Sequence, residues 1–358
     1  MNVRYGSSVE PVYTDGRDID PDVGTLLGEG ASQEASGSSD EHIKQFAKPW
    51  NKLPQPEADD PSYYDRPMLN EPIWEWAIPL YYYVGGITGA SLVLAAAAQA
   101  IDGEKFERLI DRCHWIALAG ASLSAGLLIW DLGRPWRFFN MLRVFRPTSP
   151  MNVGAWILTG AAGNGSLALF FRRFDGGFRQ AGNMFTMAAG VFGMGLSTYT
   201  GVLVANSAIP LWQESRRVLP VLFGSSAVAS VGALFELFEA AKPERRITKL
   251  FGTVGQVAEL AAAVAMEKQT SVVPRVGKPL KSGLSGFLWK SAAVLTAGSF
   301  LIGLLPNKTR KQRIAAGILG NLGSMVLRFT VQHAGVVSSR DARASFHLQR
   351  ASNSTHKA

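Results

Sequence analysis

The feature that most constrains this chain is a succession of long apolar stretches, separated by short charged ones, that begins at Ile73. The hydrocarbon core of a bilayer, about 30 Å thick, needs roughly 20 apolar residues in a helix. Eight stretches qualify: 77–101, 113–131, 151–171, 184–206, 218–240, 250–267, 284–305 and 313–335. A run such as Leu94–Ala98 also suits a buried helix of a water-soluble protein, but eight of them in succession do not. Hydrocarbon offers no water to backbone groups, so each stretch is expected to be helical. The expected fold is all-α and integral to the membrane, with about eight transmembrane helices over residues 71–337. A polar, mostly disordered extension (1–70) precedes them, and a polar tail (338–358) follows. The sixth stretch is the shortest and carries Glu259.

The rest of the composition narrows the function. Segment 24–40, GTLLGEGASQEASGSSD, is low in complexity and has little to bury. The first residues, MNVRYGSSVE, lack the apolar core of a secretory signal, so the first span is expected to direct insertion. A formal charge of +8 raises nucleic acid as a partner, but most Lys and Arg lie between spans, as loops beside lipid head groups require. No nucleic-acid partner is expected. The single cysteine, Cys113, excludes an internal disulfide and a Cys-ligated iron–sulfur cluster in this chain.

Small residues recur within the spans: Gly85, Gly86 and Gly89 in the first, Gly190, Gly193 and Gly195 in the fourth, Gly317, Gly320 and Gly323 in the last. They let helix backbones approach closely in lipid and point to a tight bundle. With eight spans, the even-numbered ones end on the face where the first begins, here side A. Basic residues occupy both faces: Arg134, Arg143, Arg216 and Arg217 on side A, Arg172, Arg245 and Lys308 on side B. The side-B loops are shorter and denser in charge, which favours side B as cytoplasmic.

An ionisable group inside a span costs several kcal/mol and marks a functional candidate. Span parity places Glu75, Asp131, Tyr199, Asn206, Lys290, Arg328 and His333 in the side-A half. Together they suit a pocket for a head group with two carbonyl or hydroxyl oxygens. Taken singly, Lys290 and Arg328 can also snorkel to the interface, and Asp131 can pair with Arg134. Glu236 and Glu239, three apart, share a helix face towards side B, with Glu259 nearer mid-membrane. These carboxylates, with Arg328, are candidates for a proton path. The histidines that touch spans, His114 and His333, fall on opposite sides and cannot ligate one haem, so no haem is expected. No spacing of His, Cys and carboxylates suggests zinc or another metal. Trp74, Trp76, Tyr81, Tyr82, Tyr83, Trp130, Trp136 and Trp212 fall near interfaces, where an aromatic belt is the ordinary reading.

Four passages resemble one known family. They are WEWAIPLYYYVGGITGAS (Trp74–Ser91), DLGRPWRFFNMLRVFRPTSPMNVGAWIL (Asp131–Leu158), STYTGVLVANSAIPLW (Ser197–Trp212) and LPVLFGSSAVASVGAL (Leu219–Leu234). The chain is similar in them to the NrfD/PsrC (polysulfide reductase NrfD-like) membrane subunits, over about 72–335. The resemblance implies two packed four-helix bundles and a quinone or quinol site in the first, for menaquinone or ubiquinone. It also implies no haem, a partner iron–sulfur ferredoxin-like subunit that often serves a molybdopterin or cytochrome subunit, and a bacterial inner membrane. Quinone contacts in the family come from the start of span one and a Tyr in span four, which match Trp74–Tyr83 and Tyr199 here. Some members use a His in span one; this span has none, and Glu75 is the nearest titratable group. The expected function is a quinone-interacting anchor of a respiratory oxidoreductase, with proton translocation through Glu236 and Glu259 as an extension. Tyr199, Glu75 and Asp131 are the expected catalytic groups, and Asn206 a further quinone contact. A transporter using the same buried charges, or an anchor with a degenerate site, is the alternative.

Overall fold

The computed structural model describes Leu69 and residues 71–345, apart from Ile73, Gly133–Pro135 and the Arg137 side chain, together with two dipeptides nearer the N-terminus. Those dipeptides, β1 (Asp18–Ile19) and β2 (Leu26–Leu27), pair antiparallel with Asp18 opposite Leu27, within a unit of their own, Met1–Gln55. The expected disorder of the N-terminal extension and the far end of the tail, 346–358, otherwise lie outside the described residues.

The second unit contains eight helices long and apolar enough to cross a membrane. They are α1 (Ala77–Asp102), α2 (Glu107–Leu132), α4 (Pro150–Phe171), α5 (Gly177–Ala205), α7 (Leu219–Leu237), α8 (Lys242–Ser271), α10 (Gly283–Leu304) and α11 (Arg310–Ser339). Short helices lie between or after them: α3 (Trp136–Arg143), α6 (Pro210–Glu214), α9 (Pro274–Lys281) and α12 (Ala342–Ser345). Helices α1, α2, α4 and α5 pack as one four-helix bundle, and α7, α8, α10 and α11 as a second. The two bundles meet where α1 and α5 face α7 and where α1 faces α11. Accordingly α1 and α7 are the most enclosed spans, and α2 and α10 the least.

Several helices run beyond their apolar stretches. The sixth is the extreme case: 250–267 qualified by hydropathy, yet α8 spans 30 residues. Its first turns, KPERRITK, are too polar for hydrocarbon, but the backbone ladder continues wherever nothing breaks it. Pro243 suits the first turn, and the Glu244 carboxylate accepts from the Ala241 N–H at 3.2 Å. At the start of α11, Thr309 and Gln312 cap each other reciprocally. The eighth span likewise reaches Ser339, and α12 follows it with Ala344 fully buried. Arg340 braces this end by donating two hydrogen bonds to the Glu71 carboxylate, at 2.8 and 3.0 Å.

Glycines set the helix crossings. A Cβ at Gly89 of α1 would stand 2.5 Å from the Gly193 carbonyl oxygen of α5, and one at Gly193 equally close to that of Gly89. In the second bundle Gly232 of α7 and Gly252 of α8 meet backbone to backbone, and a Cβ at Gly252 would lie 2.8 Å from the Gly232 Cα. Gly232→Val is therefore expected to lower the melting temperature of the detergent-solubilised chain, reflecting a cost of about 1–3 kcal/mol for overpacking. Gly163→Ala, where a Cβ meets nothing within 4 Å, should leave it unchanged or slightly raised.

Candidate functional site

Three successive tyrosines at the head of α1 point in three directions, because a helix turns about 100° per residue. Tyr81, 4% exposed, lies against Gly85 and so towards Ser124 of α2. Tyr82 is fully buried and packs on Phe223 of α7, ring centroids 5.9 Å apart. Tyr83 is half-buried and donates to Asn321 Oδ1 of α11 at 2.8 Å. The run thus serves the first bundle, the seam between bundles and the second bundle in turn. Just before it, Trp74 stacks on Trp212 of α6 at 6.1 Å. Trp212, expected in the aromatic belt, is instead fully buried, with its indole N–H donating to the Val331 carbonyl at 2.9 Å. A tryptophan so placed ties the head of α1 to α11, which a belt residue facing lipid cannot do. Trp76, Trp130 and Trp136 do face outward, at 53%, 71% and 81% exposure.

The connection between α2 and α4 positions the next group. Ser149 caps α4, and Pro150 occupies its first turn. The buried Asn152 side chain then holds the loop: its amide donates to the carbonyls of Met141 and Val144, and its oxygen accepts from the Arg146 N–H at 2.7 Å. Two residues later Gly154 leaves space that the Tyr199 ring of α5 fills; any Cβ there would collide with it. Tyr199, 8% exposed, faces inward as a result.

Electrostatic contacts link these residues into one side-A group. Tyr199 interacts with Tyr81, Tyr81 with Tyr82, Tyr82 with Asp131, and Asp131 with Glu75. Asp131, at the end of α2, is half-buried, and Glu75 is exposed. The Tyr82 hydroxyl is buried and without a hydrogen-bond partner among the described residues, and the Tyr199 hydroxyl is buried beside the Gly154 backbone. A donor left as Tyr82 is in a membrane interior is costly. Two buried phenols near a carboxylate that is itself near a solvated one can hold a carbonyl or hydroxyl oxygen and carry off a proton. Arg134, the expected ion-pair partner of Asp131, lies outside the described residues.

The other residues assigned to side A by parity stay in that half of their helices but face other surroundings. Asn206 is exposed, its amide donating to the Val202 carbonyl at the end of its own helix. Lys290 faces outward, and His333 is exposed with Nδ1 2.9 Å from Ser285 Oγ. His114 is buried at the other end of the first bundle, with Nδ1 2.8 Å from the Ile110 carbonyl. Arg328 stands eleven residues before the end of α11, about 16 Å along the axis. It lies at the seam between bundles, 1% exposed, where Gly86 of α1 leaves room for it. Its guanidinium sits 4.0 Å above the Phe223 ring and donates to the Phe223 carbonyl at 2.7 Å. Glu259, also 1% exposed, is its charged neighbour and accepts a long hydrogen bond, 3.5 Å, from Ser324. Glu236 forms a half-buried ion pair with Lys308 at 3.0 Å near side B, and Glu239 is exposed beside Arg310.

Sequence reasoning passed over Asn152 and Gly154 as individuals, although both lie in the most distinctive quoted passage. Their task is to shape the neighbourhood of Tyr199, and neither type advertises chemistry. Asn152→Ala is expected to leave the eight helices intact but to speed amide exchange across 141–146. The loss is about 1–3 kcal/mol of local stability, read by hydrogen exchange with mass spectrometry.

Among the described residues no group of three or more His, Cys, Asp or Glu is placed to hold a metal ion. No curated protein matches the chain. The family model described as polysulphide reductase, NrfD, matches residues 66–338, which takes in both bundles and the Asp131–Tyr199 region. The chain belongs to the NrfD family, multi-pass membrane subunits that work with partner redox subunits in the bilayer.

Proposed function

We propose that this chain is the quinone-reactive membrane subunit of a respiratory oxidoreductase in a bacterial inner membrane. The observation that carries the reading is the pair of buried phenols, Tyr82 without a hydrogen-bond partner among the described residues and Tyr199 beside the Gly154 backbone, within electrostatic range of Tyr81, Asp131 and Glu75. A bound quinol, menaquinol or ubiquinol, would supply two electrons and two protons. Tyr199 donates a hydrogen bond to one ring oxygen, and Tyr82 is poised to do the same. Asp131 accepts the two protons one after the other, handing each to the exposed Glu75 and so to water before it takes the next. Trp74 and Tyr81 form the apolar wall around the ring, and Trp76 meets the lipid through which a quinone arrives.

The electrons leave to a partner iron–sulfur subunit, which serves a molybdopterin or cytochrome subunit. Arg143, Arg146, Arg216 and Arg217 are exposed on the side-A connections and give an acidic partner a surface close to the phenols. In the second bundle, Glu259 and Arg328 at mid-depth and Glu236 towards side B form the elements of a proton path. The same buried charges favour a transporter as the second reading, because Arg328 and Glu259 are sealed from solvent inside the span region, where ionisable groups mark ion pathways.

Two measurements test this. A quinone analogue titrated into the full chain in detergent should quench tryptophan fluorescence saturably. Tyr199→Phe, which removes one hydroxyl and little volume, should weaken that binding about three- to tenfold. Unchanged affinity would remove Tyr199 from the site, and absence of saturable binding by folded protein would favour the transporter. In the complex reconstituted into vesicles, Glu259→Gln should abolish proton translocation while quinone binding persists; translocation at the original rate would exclude Glu259 from the path.

A further inference from the structure

On side B, at the end of the first bundle away from the phenols, a cavity of about 310 Å³ opens between α1, α4 and α5. Gln99, Asp102, Glu104, Arg172, Arg179 and Asn183 line it. Arg172, the residue that ends α4, is 8% exposed and is fixed from three directions. Its Nε donates to Asp111 at 3.2 Å, and its Nη1 to Gln99 Oε1 at 2.9 Å and to Asn183 Oδ1 at 2.8 Å. The remaining nitrogen, Nη2, is buried with no acceptor among the described residues. A guanidinium has donors only, and leaving one edge of it dry and unpaired is expensive unless an anionic oxygen completes it.

The surroundings fit such an oxygen. Gly176, at φ +67°, turns the chain into the N-terminus of the 29-residue helix α5, whose first N–H groups favour an anion. Arg179, in the next turn, is a second cation, held by Glu107 at 2.6 Å. The rim has the opposite charge: Asp102 and Glu104 are both exposed where α1 ends. The one unanswered N–H edge of Arg172 in the floor and the carboxylates of the rim suit a ligand that joins a phosphate to an amine. Beside the cavity, on the outer surface of α4, the start of α5 and the turn between them, Phe170, Phe174 and Phe178 are 57%, 46% and 60% exposed. Their rings are packed together, with centroids 5.3 and 5.9 Å apart. Such a shelf has no use for a water-soluble ligand, but it continues the cavity into the acyl region of the bilayer.

We propose that this cavity is a headgroup site for an amine-bearing phospholipid: phosphate on Arg172 Nη2 and the start of α5, ammonium towards Asp102 and Glu104, acyl chains over the phenylalanine shelf. The site lies in the bundle that carries Tyr199 but at its opposite end, so it is independent of quinone binding. The test is native mass spectrometry of the full chain in mild detergent, titrated with phosphatidylethanolamine or with phosphatidylglycerol of the same acyl chains. The wild type should retain the ethanolamine lipid about tenfold more tightly, the scale of one charge-assisted hydrogen bond. Arg172→Gln should weaken both lipids. Because Arg172 also braces three neighbours, the rim double variant Asp102→Asn with Glu104→Gln gives the decisive reading. It should bring the ethanolamine lipid down to the level of the glycerol lipid with no change in melting temperature. Equal retention of the two lipids by the wild type, or an undiminished preference in the rim variant, overturns the proposal. Equal competition by soluble phosphoethanolamine overturns it too, since the site would then serve a free phosphate ester.

Discussion

Helices in hydrocarbon gain nothing from hiding apolar side chains from one another, because the lipid tails are as apolar as they are. What holds this chain together is close backbone contact at points where no side chain intervenes. Gly89 against Gly193 joins α1 to α5, and Gly232 against Gly252 joins α7 to α8. In the last span, Gly317 and Gly320 pass close to Ala233 of α7, and Gly323 passes close to Thr296 of α10. These crossings set where α1 and α7 run, and Tyr81 and Tyr82 of α1 and Phe223 of α7, which Arg328 packs on, take their places from them.

The buried polar groups of the first bundle and of the seam differ in kind. In the first bundle they are phenols, with Asp131 and Glu75 nearby. At the seam with the second bundle they are a guanidinium and a carboxyl side chain. Arg328 and Glu259 are nearly sealed from solvent, and Arg328 is steadied by the face and the carbonyl of Phe223. Phe223 also packs on Tyr82, so a single ring lies between the Tyr82 phenol and the Arg328 guanidinium.

Much of the architecture was readable in advance. Hydropathy located every span because the bilayer imposes a length on each, and it missed the polar ends, where α2, α5, α8 and α11 continue as helix into the interface. The short helices α3 and α9 went unforeseen because amphipathic segments of eight residues carry too little apolar length to register. For the site, span parity put Glu75, Asp131 and Tyr199 at one end of the first bundle, and Arg328 and Asn206 likewise lie in the later half of α11 and at the end of α5. What parity does not give is direction, since Arg328 turns to the seam and the Asn206 amide turns back on its own helix.

By itself the sequence determined the number of spans, the family and the face on which the tyrosines and carboxylates gather, because length, hydropathy and order along the chain are one-dimensional properties. Only the tertiary structure decided which of three adjacent tyrosines looks into the first bundle, that Trp212 is a buried tie and not a belt residue, and that Gly154 makes room for Tyr199. It also decided that Arg172 ends with one nitrogen unanswered. The reason is geometric: which way a side chain points within a bundle depends on the rotation of each helix about its axis, and that rotation is set by the glycine crossings between helices far apart in sequence.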